Sequence, residues 1–350
     1  MTLLALSVVG LSTFALSGCT PGSSVAAPGA SPSVTDTPAP SPALVTDPAQ
    51  AFDGDCSGVL TNDDVSAALD VGMVIAARTS PATPMDAAVA AVGGMPCDWA
   101  QDDSAAAATL SAVLLPETLS SEFESTEPAC YASSDESSTD PQAIRAACSF
   151  NLTASGFWLS GVVYPPAGST EAAARSAITR LAERFSANTA AAAAFTPSAA
   201  LDAAWPDDVD CAALGASAPV AAALPGWNAA KGNRPGERPE GYLRAEAAAG
   251  ATTCLWSPPA DGAGELAAFE TQWLPGGAWA QDGLAPGTEL RIDGVQRAVL
   301  VGTGADALAQ VFDGPNWLEI SYYGTSDPAP ESYAPVAAAL IQALNAAALG

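Results

Sequence analysis

The segments Cys97-Asp98-Trp99 and Cys254-Leu255-Trp256 lie 157 residues apart and mark two copies of one unit in a chain of 350 residues. Each follows an Asp-Cys pair, Asp55-Cys56 in the first copy and Asp210-Cys211 in the second, and these pairs are 155 residues apart. Between pair and segment, each copy carries a short run of apolar residues with helical spacing. Motifs that recur at nearly one offset indicate a tandem duplication.

The correspondence extends to the end of each copy. Trp158-Leu159 matches Trp317-Leu318 at an offset of 159 residues. Each copy then closes on an Ala-rich amphipathic segment, residues 171–188 in the first and 332–349 in the second, which predicts a helix. The offset grows only from 155 to 159 residues, which is the variation that loops of different length produce within one fold.

The first helix of each copy has recognisable signals. Thr61 is suited to cap a helix in the first copy. The apolar face of that helix is formed by Val65, Ala68 and Leu69, and Pro219 interrupts the equivalent segment in the second copy.

Between these helices the pattern predicts strands, and Asp-Gly pairs such as Asp293-Gly294 favour antiparallel hairpins. The predicted strands are 71–76, 96–100, 109–115, 148–153 and 157–164, then 242–247, 252–256, 269–274, 289–292, 298–301, 307–312 and 318–323. The predicted fold class is α+β, with two tandem two-layer sandwiches. Each sandwich is an antiparallel sheet packed with an N-terminal and a C-terminal helix.

The N-terminal segment resembles the lipobox of bacterial lipoproteins. Phe14-Ala15-Leu16-Ser17-Gly18-Cys19 ends an uncharged apolar run that is too short for a spanning helix and fits a signal-peptide core. The resemblance implies that Cys19 is lipidated and becomes the first residue of the mature protein. A diacylglyceryl group supplies two acyl chains, the number at which lipid anchoring becomes stable. No Lys or Arg precedes the run, so we expect the true start codon to lie upstream of Met1.

The segment after Cys19 is rich in Pro, Ser, Thr and Ala and cannot bury a core. As a coil its ends would lie on the order of 30 Å apart, so it is expected to tether folded domains clear of the bilayer. Because each copy has its own helices, strands and cysteine pair, each is expected to fold alone. The predicted organisation is a signal peptide at 1–18, the lipidated Cys and linker at 19–52, a first repeat at 53–195, a linker at 196–204 and a second repeat at 205–350.

These motifs together resemble a family. A Cys, a short helix that begins at Thr or Ser, and a Cys-x-Trp segment behind a lipobox and a Pro/Ser/Thr linker are similar to actinobacterial lipoproteins of unknown function. They are also similar to the extracellular sensor domains of some actinobacterial receptor kinases. The resemblance covers each repeat separately. It implies an extracytoplasmic α+β domain and transfers no catalytic residue.

Six cysteines follow the lipobox, and an oxidising compartment favours disulfides between them. Six cysteines allow fifteen connectivities, but a bond that recurs in both repeats joins the two cysteines that the repeats share. The remaining two form a bridge private to the first repeat. Thiolate metal ligation would need close Cys-x-x-Cys pairs, and the sequence has none. The predicted disulfides are Cys56–Cys97, Cys211–Cys254 and Cys130–Cys148.

Composition excludes several functions. The net charge of −27 with a single lysine opposes binding to phosphate backbones, so no nucleic-acid partner is expected. The sequence has no histidine, which removes Ser-His-Asp and Cys-His catalysis and His-based metal sites. It has neither Gly-x-Ser-x-Gly nor Ser-x-x-Lys. No cofactor or metal is expected.

Two charged stretches have a functional and a structural interpretation. The acidic insertion of the first repeat is either a low-affinity calcium site or a solvated loop, and its spacing fits no EF-hand. The basic stretch of the second repeat either docks an anionic partner or is paired internally, because neighbouring glutamates nearly cancel its charge. We favour the structural interpretation of both. The acidic residues are Glu117, Glu122, Glu124, Glu127, Asp135, Glu136 and Asp140, and the basic ones are Lys231, Arg234, Arg238 and Arg244.

Aromatic and carboxylate side chains that recur in both repeats are further candidates. Four tryptophans could floor a ligand pocket, but their recurrence beside a cysteine pair favours a core position. Asp55 and Asp210 are the only acid pair at one place in both repeats, and we expect them to cap or orient the first helix. Asn151 matches a glycosylation sequon within a predicted strand, which argues against modification. The tryptophans are Trp99, Trp158, Trp256 and Trp317.

These observations predict a non-enzymatic lipoprotein, tethered at the extracytoplasmic face of the cell membrane, that binds an envelope protein or a small ligand. A groove between the two repeats is the expected ligand site. One alternative is a hydrolase that acts through paired carboxylates. Another is the solute-binding component of a transporter, which the antiparallel repeat disfavours.

Overall fold

The structure, a computed structural model, describes residues 47–76, 82–101, 107–120, 127–134, 144–192, 205–207, 209–232, 239–259, 268–322 and 329–349. These residues belong to one compact unit. Within these ranges, none of the helices has both the length and the apolar character needed to cross a membrane.

In the part of the first repeat that the structure describes there are three α-helices and six strands. Its first helix begins at Thr61, whose hydroxyl accepts a hydrogen bond from the Asp64 amide while the Asp64 carboxylate accepts one from the Thr61 amide. The elements are α1 (Asn62–Leu69), β1 (Val74–Ile75), α2 (Pro84–Ala91), β2 (Met95–Ala100), β3 (Thr109–Pro116), β4 (Ala129–Ser134), β5 (Ile144–Ala154), β6 (Phe157–Tyr164) and α3 (Glu171–Thr189).

The second repeat follows the same plan with two differences. Its first helix is split at Ser217, two residues before Pro219, and its described sheet has one additional edge strand. The elements are α4 (Cys211–Ala216), α5 (Ala218–Ala223), β7 (Asn228–Lys231), α6 (Glu240–Ala248), β8 (Thr252–Ser257), β9 (Phe269–Leu274), β10 (Thr288–Glu289), β11 (Arg297–Val301), β12 (Leu308–Asp313), β13 (Asn316–Tyr322) and α7 (Tyr333–Ala347).

The two sheets share one strand order, as an internal repeat requires. The first runs β1-β2-β3-β6-β5-β4, and the second, read in the matching direction, runs β7-β8-β9-β13-β12-β11-β10. Every strand pair of both sheets is antiparallel. The predicted α+β fold with two antiparallel sheets and flanking helices is confirmed.

Each sheet packs one face, which we call its outer face, against the first and last helices of its own repeat. In the first repeat, Trp99 and Leu110 of the sheet are buried with Val65 of α1 and Leu181 of α3. In the second, Trp256, Phe269 and Ile320 are buried with side chains of α4, α5 and α7. The apolar spacing of these helices dictates this packing, because one stripe of each must leave water.

The opposite face of each sheet, its inner face, is covered by a helix from the other repeat. Ala87 and Ala88 of α2 pack against Leu274 and Trp317 of the second sheet. Reciprocally, Tyr242 and Ala245 of α6 pack against buried side chains of the first sheet, Val113, Leu115 and Trp158. The helices α2 and α6 also contact each other. They therefore form a middle layer that both repeats share, and no local sequence pattern predicts it.

Residues 242–247 are helical, so the predicted strand there is wrong. Only Gly241, Tyr242 and Ala245 of α6 are buried, a spacing of one helical face, and Glu240 pairs with Arg244 one turn later at 3.6 Å. The buried residues of this stretch follow the period of a helix and not that of a strand. The shared layer also argues against the expectation that each repeat folds alone, because a separated repeat would expose its inner face to water.

Candidate functional site

The two inner faces have a common construction around a buried tryptophan. Trp158 Nε1 donates a hydrogen bond to Asn151 Oδ1 at 3.1 Å, and Trp317 Nε1 donates one to Gln310 Oε1 at 2.6 Å. These residues correspond at the 159-residue offset of the repeat. Because an indole N–H that is removed from water needs an acceptor, the neighbouring strand supplies an amide in both sheets. Asn151 is thus engaged within the sheet, in the strand where the sequence placed it.

The second sheet carries a cluster of buried polar side chains that we call the carboxylate–amide cluster: Glu270, Gln272, Gln310 and Glu319. Glu270 and Glu319 are only 1% and 3% exposed. Gln272 Nε2 donates to Glu270 Oε1 at 2.5 Å, and Gln310 Nε2 donates to Glu319 Oε2 at 2.7 Å. Gln272 and Gln310 lie directly opposite Glu319 on the two neighbouring strands.

Three of the four equivalent residues of the first sheet are short or apolar, and the fourth, Asn151, is an amide like Gln310. Ser160 takes the place of Glu319, Val113 that of Gln272, and Ser111 that of Glu270. The carboxylate–amide cluster therefore belongs to one repeat only. The sequence contained no local signal for it, since Glu270 and Glu319 lie in two separate strands within an acidic chain.

Helix α2 of the first repeat packs on the same face of the second sheet. Thr253 Oγ1 approaches Met85 Sδ at 3.7 Å beside the cluster, and Asp86 on the same helix is 8% exposed. The start of α2 is set by Thr83, whose hydroxyl accepts a hydrogen bond from the Asp86 amide, and by Pro84, whose fixed φ suits the first turn.

The chemistry of the carboxylate–amide cluster favours a structural role over catalysis. A buried carboxylate is costly unless donors satisfy it, and the two glutamines supply such donors. Within the described ranges, no group of three or more Asp, Glu, Cys or His side chains is arranged to hold a metal ion. The two carboxylates have almost no exposed surface.

A surface pocket of about 570 Å³ lies elsewhere, along residues 289–299 around the turn between β10 and β11. Its charges are mixed, since Arg291 and Arg297 line it together with Glu289 and Asp293. Arg297 also donates to the Gln281 carbonyl at 3.1 Å. This pocket is not the groove expected between the repeats, which in the described part of the chain is filled by α2 and α6.

The cysteines pair as the duplication predicted. Cys56–Cys97 and Cys211–Cys254 each connect the start of the first helical segment to the second strand of the same sheet, with Cα atoms 5.7 Å apart. Cys130 and Cys148 are directly opposed on β4 and β5 and form the bridge private to the first repeat. Each of these disulfides lies within one repeat.

The structural interpretation holds for the recurring tryptophans and aspartates. All four tryptophans are at most 1% exposed, which confirms their core position. The Asp55 carboxylate accepts from the Ser57 amide at 2.8 Å, and the Asp210 carboxylate accepts from the Ala212 amide at 2.9 Å, so both cap the turns that follow them. The Ser57 hydroxyl and amide lower the pKa of Asp55.

Only some residues of the two charged stretches lie within the described ranges. Glu117 and Glu127 are exposed, and the other five carboxylates of the acidic insertion lie outside the described residues. Lys231 is exposed and Arg244 is paired with Glu240, whereas Arg234 and Arg238 lie outside the described ranges. Cys19 also lies outside them, so lipidation stays a prediction.

No protein-family model matches the sequence, and no curated protein is significantly similar to it. Among solved structures, the chain is similar to the di-domain ARO/CYC StfQ from the steffimycin biosynthetic pathway, at 11% identity and a TM-score of 0.19. The match covers 79% of this chain and 98% of that chain. At such a TM-score the likeness carries no argument about fold or function.

Proposed function

We propose that the chain is a lipid-anchored lipoprotein of the extracytoplasmic membrane face, with a non-enzymatic binding or accessory role toward an envelope protein or a small ligand. The observation that carries the proposal is the lipobox that ends at Cys19, followed by a linker and a folded body with three disulfides. Disulfides of this number are typical of an oxidising compartment.

A partner is expected to bind outside the middle layer that the two repeats share. The inner faces are packed, so a partner must use loops, sheet edges or outer helices. The net charge of −27 favours a partner with a basic surface over nucleic acid or anionic lipid headgroups. A linker of about thirty residues would let that surface reach a partner held above the bilayer.

The carboxylate–amide cluster is the feature that the alternative, a hydrolase with paired carboxylates, would use. A glycosidase needs two carboxyl groups that flank a substrate in an open cleft. Glu270 and Glu319 are instead almost fully buried and accept hydrogen bonds from glutamine side chains. We therefore assign them to the packing of the two repeats.

The proposal is tested by Cys19→Ala in cells. We expect the variant to leave the membrane fraction, either as released protein or as unprocessed precursor, whereas the matched control Thr20→Ala stays membrane-bound at the mature mass. In vivo crosslinking of the wild-type protein followed by mass spectrometry should identify a partner that the released variant no longer captures. Membrane retention of Cys19→Ala at the mature mass would contradict the anchor. Turnover of a wall glycan by the purified protein, abolished by Glu319→Gln, would contradict the non-enzymatic role.

A further inference from the structure

The start of α6 is unusually close to the first sheet. A Cβ atom built on Gly241 would lie 2.4 Å from Val113 Cγ1 and 2.8 Å from Ser160 Cβ, so only glycine fits there without displacement. The Gly241 amide donates a hydrogen bond to Ser160 Oγ at 2.9 Å. The N-cap of α6, Pro239, makes no side-chain cap of its own. Ser160 of the first repeat therefore satisfies an amide in the first turn of a helix of the second repeat.

The second sheet has no equivalent contact surface for α6. Val113 and Ser160 face each other across β3 and β6, and their counterparts across β9 and β13 are Gln272 and Glu319. These longer polar side chains would fill the space that allows Gly241 to lie close to the first sheet. Docking α6 at the same depth would bring it against the buried amide and carboxylate groups of the cluster, which are costly to separate from their hydrogen-bond partners.

The first sheet is equally unsuited to α2. At the 157-residue offset of the Cys-x-Trp motifs, Pro84 takes the place of Gly241. Proline has no amide hydrogen, so α2 cannot donate to Ser160 as α6 does. Instead α2 is capped by Thr83 of its own repeat. Its ring would also add atoms where the first sheet leaves no room for a Cβ atom.

We propose that the two repeats form a heterotypic pair whose inner faces are not interchangeable: each recognises the other repeat and rejects a second copy of itself. The recognition elements are Gly241 on Ser160 and Val113 in one direction. In the other direction they are Met85, Ala87 and Ala88 of α2 on Thr253, Leu274 and Trp317. None of the three described disulfides joins the two repeats, so the pair is held by non-covalent contacts and by the connecting segment. The inference does not depend on lipidation or on the proposed binding role.

The test uses the full chain with a specific protease site in place of residues 196–204, purified in detergent and then cleaved. Size-exclusion chromatography with light scattering should show the two fragments eluting together as a one-to-one complex under non-reducing conditions. After separation in urea and removal of the urea, a mixture of both fragments should restore that complex, and neither fragment alone should form a dimer. Separation of the wild-type fragments without denaturant, or a stable homodimer of either, would overturn the proposal.

Single substitutions test which residues determine the pairing of the two repeats. Ser160→Glu places in the first sheet the side chain found in the second, and we expect at least a tenfold weaker complex after cleavage. Ala245→Glu on α6 should act likewise, because Ala245 is buried against the first sheet. The matched controls are Ser186→Glu on α3 and Ala248→Glu on α6, both at exposed positions, and they should leave the complex intact. Equal affinity of the two Ser→Glu variants would show that Ser160 does not determine pairing. The cleavage experiment with wild-type fragments tests the proposal even if an interface variant fails to fold.

Discussion

Replacing Gly241 by alanine places one methyl group into the contact between the two repeats. The new Cβ atom would lie 2.4 Å from Val113 Cγ1, a distance that requires one of the two elements to move. Overpacking of this kind costs about 1–3 kcal/mol. The higher helix propensity of alanine returns up to about 1 kcal/mol, so we expect a net loss of about 1–2 kcal/mol in the free energy of unfolding.

The measurement is urea unfolding of the purified protein, followed by tryptophan fluorescence and by circular dichroism. The matched control is Gly72→Ala, where no atom lies within 4 Å of the added Cβ, and its effect should be neutral or slightly stabilising. A second variant tests the cause: Val113→Ala removes the contacting methyl, so Gly241→Ala should cost less in that background. Two results would contradict this explanation. Gly241→Ala would be as stable as Gly72→Ala, or it would lower the free energy of unfolding equally with and without Val113; the close contact between the repeats would then not determine the effect of the substitution.

Two further predictions concern covalent bonds and ionisation. Replacing Cys211 and Cys254 with alanine should lower the free energy of unfolding by about 4 kcal/mol, and replacing Cys130 and Cys148 by about 3 kcal/mol, because the second loop spans 18 residues and the first 43; urea titrations that reverse this order would contradict the entropic explanation. Burial raises the pKa of Tyr333 to about 12, and burial together with the neighbouring Tyr333 raises that of Tyr322 to about 12. Because the unfolded chain ionises near pH 10 and these two residues do not, stability should be unaffected by them below pH 10 and should fall between pH 10 and 12, by up to about 1.4 kcal/mol per pH unit for each tyrosine. Absorbance titration at 295 nm of Tyr322→Phe and Tyr333→Phe variants should each remove one late-ionising group, and ionisation of both near pH 10 in the native protein would contradict the prediction.

The sequence by itself determined the parts of this protein whose signals are local or repeated. Thr61 and Asp64 form a reciprocal cap because both partners lie within four residues of each other. The strands that carry Trp158 and Trp317 recur in both repeats and were predicted from the sequence, and the disulfides followed from the cysteines that the two repeats share. One local signal was present and not used: Thr83-Pro84 with Asp86 is the start sequence of a helix.

Only the tertiary structure decided how the two repeats meet. Helix α2 is buried on nearly all sides, so its residues show no amphipathic stripe from which a helix is recognised. In α6 the buried face, Tyr242 and Ala245, points toward the sheet of the other repeat, which no local pattern specifies. Glu270 and Glu319 became part of one buried cluster because antiparallel pairing sets their strands side by side in a sheet face that is removed from water. These contacts join residues far apart in the chain, and their energies depend on the fit of two surfaces that form only when both sheets have folded.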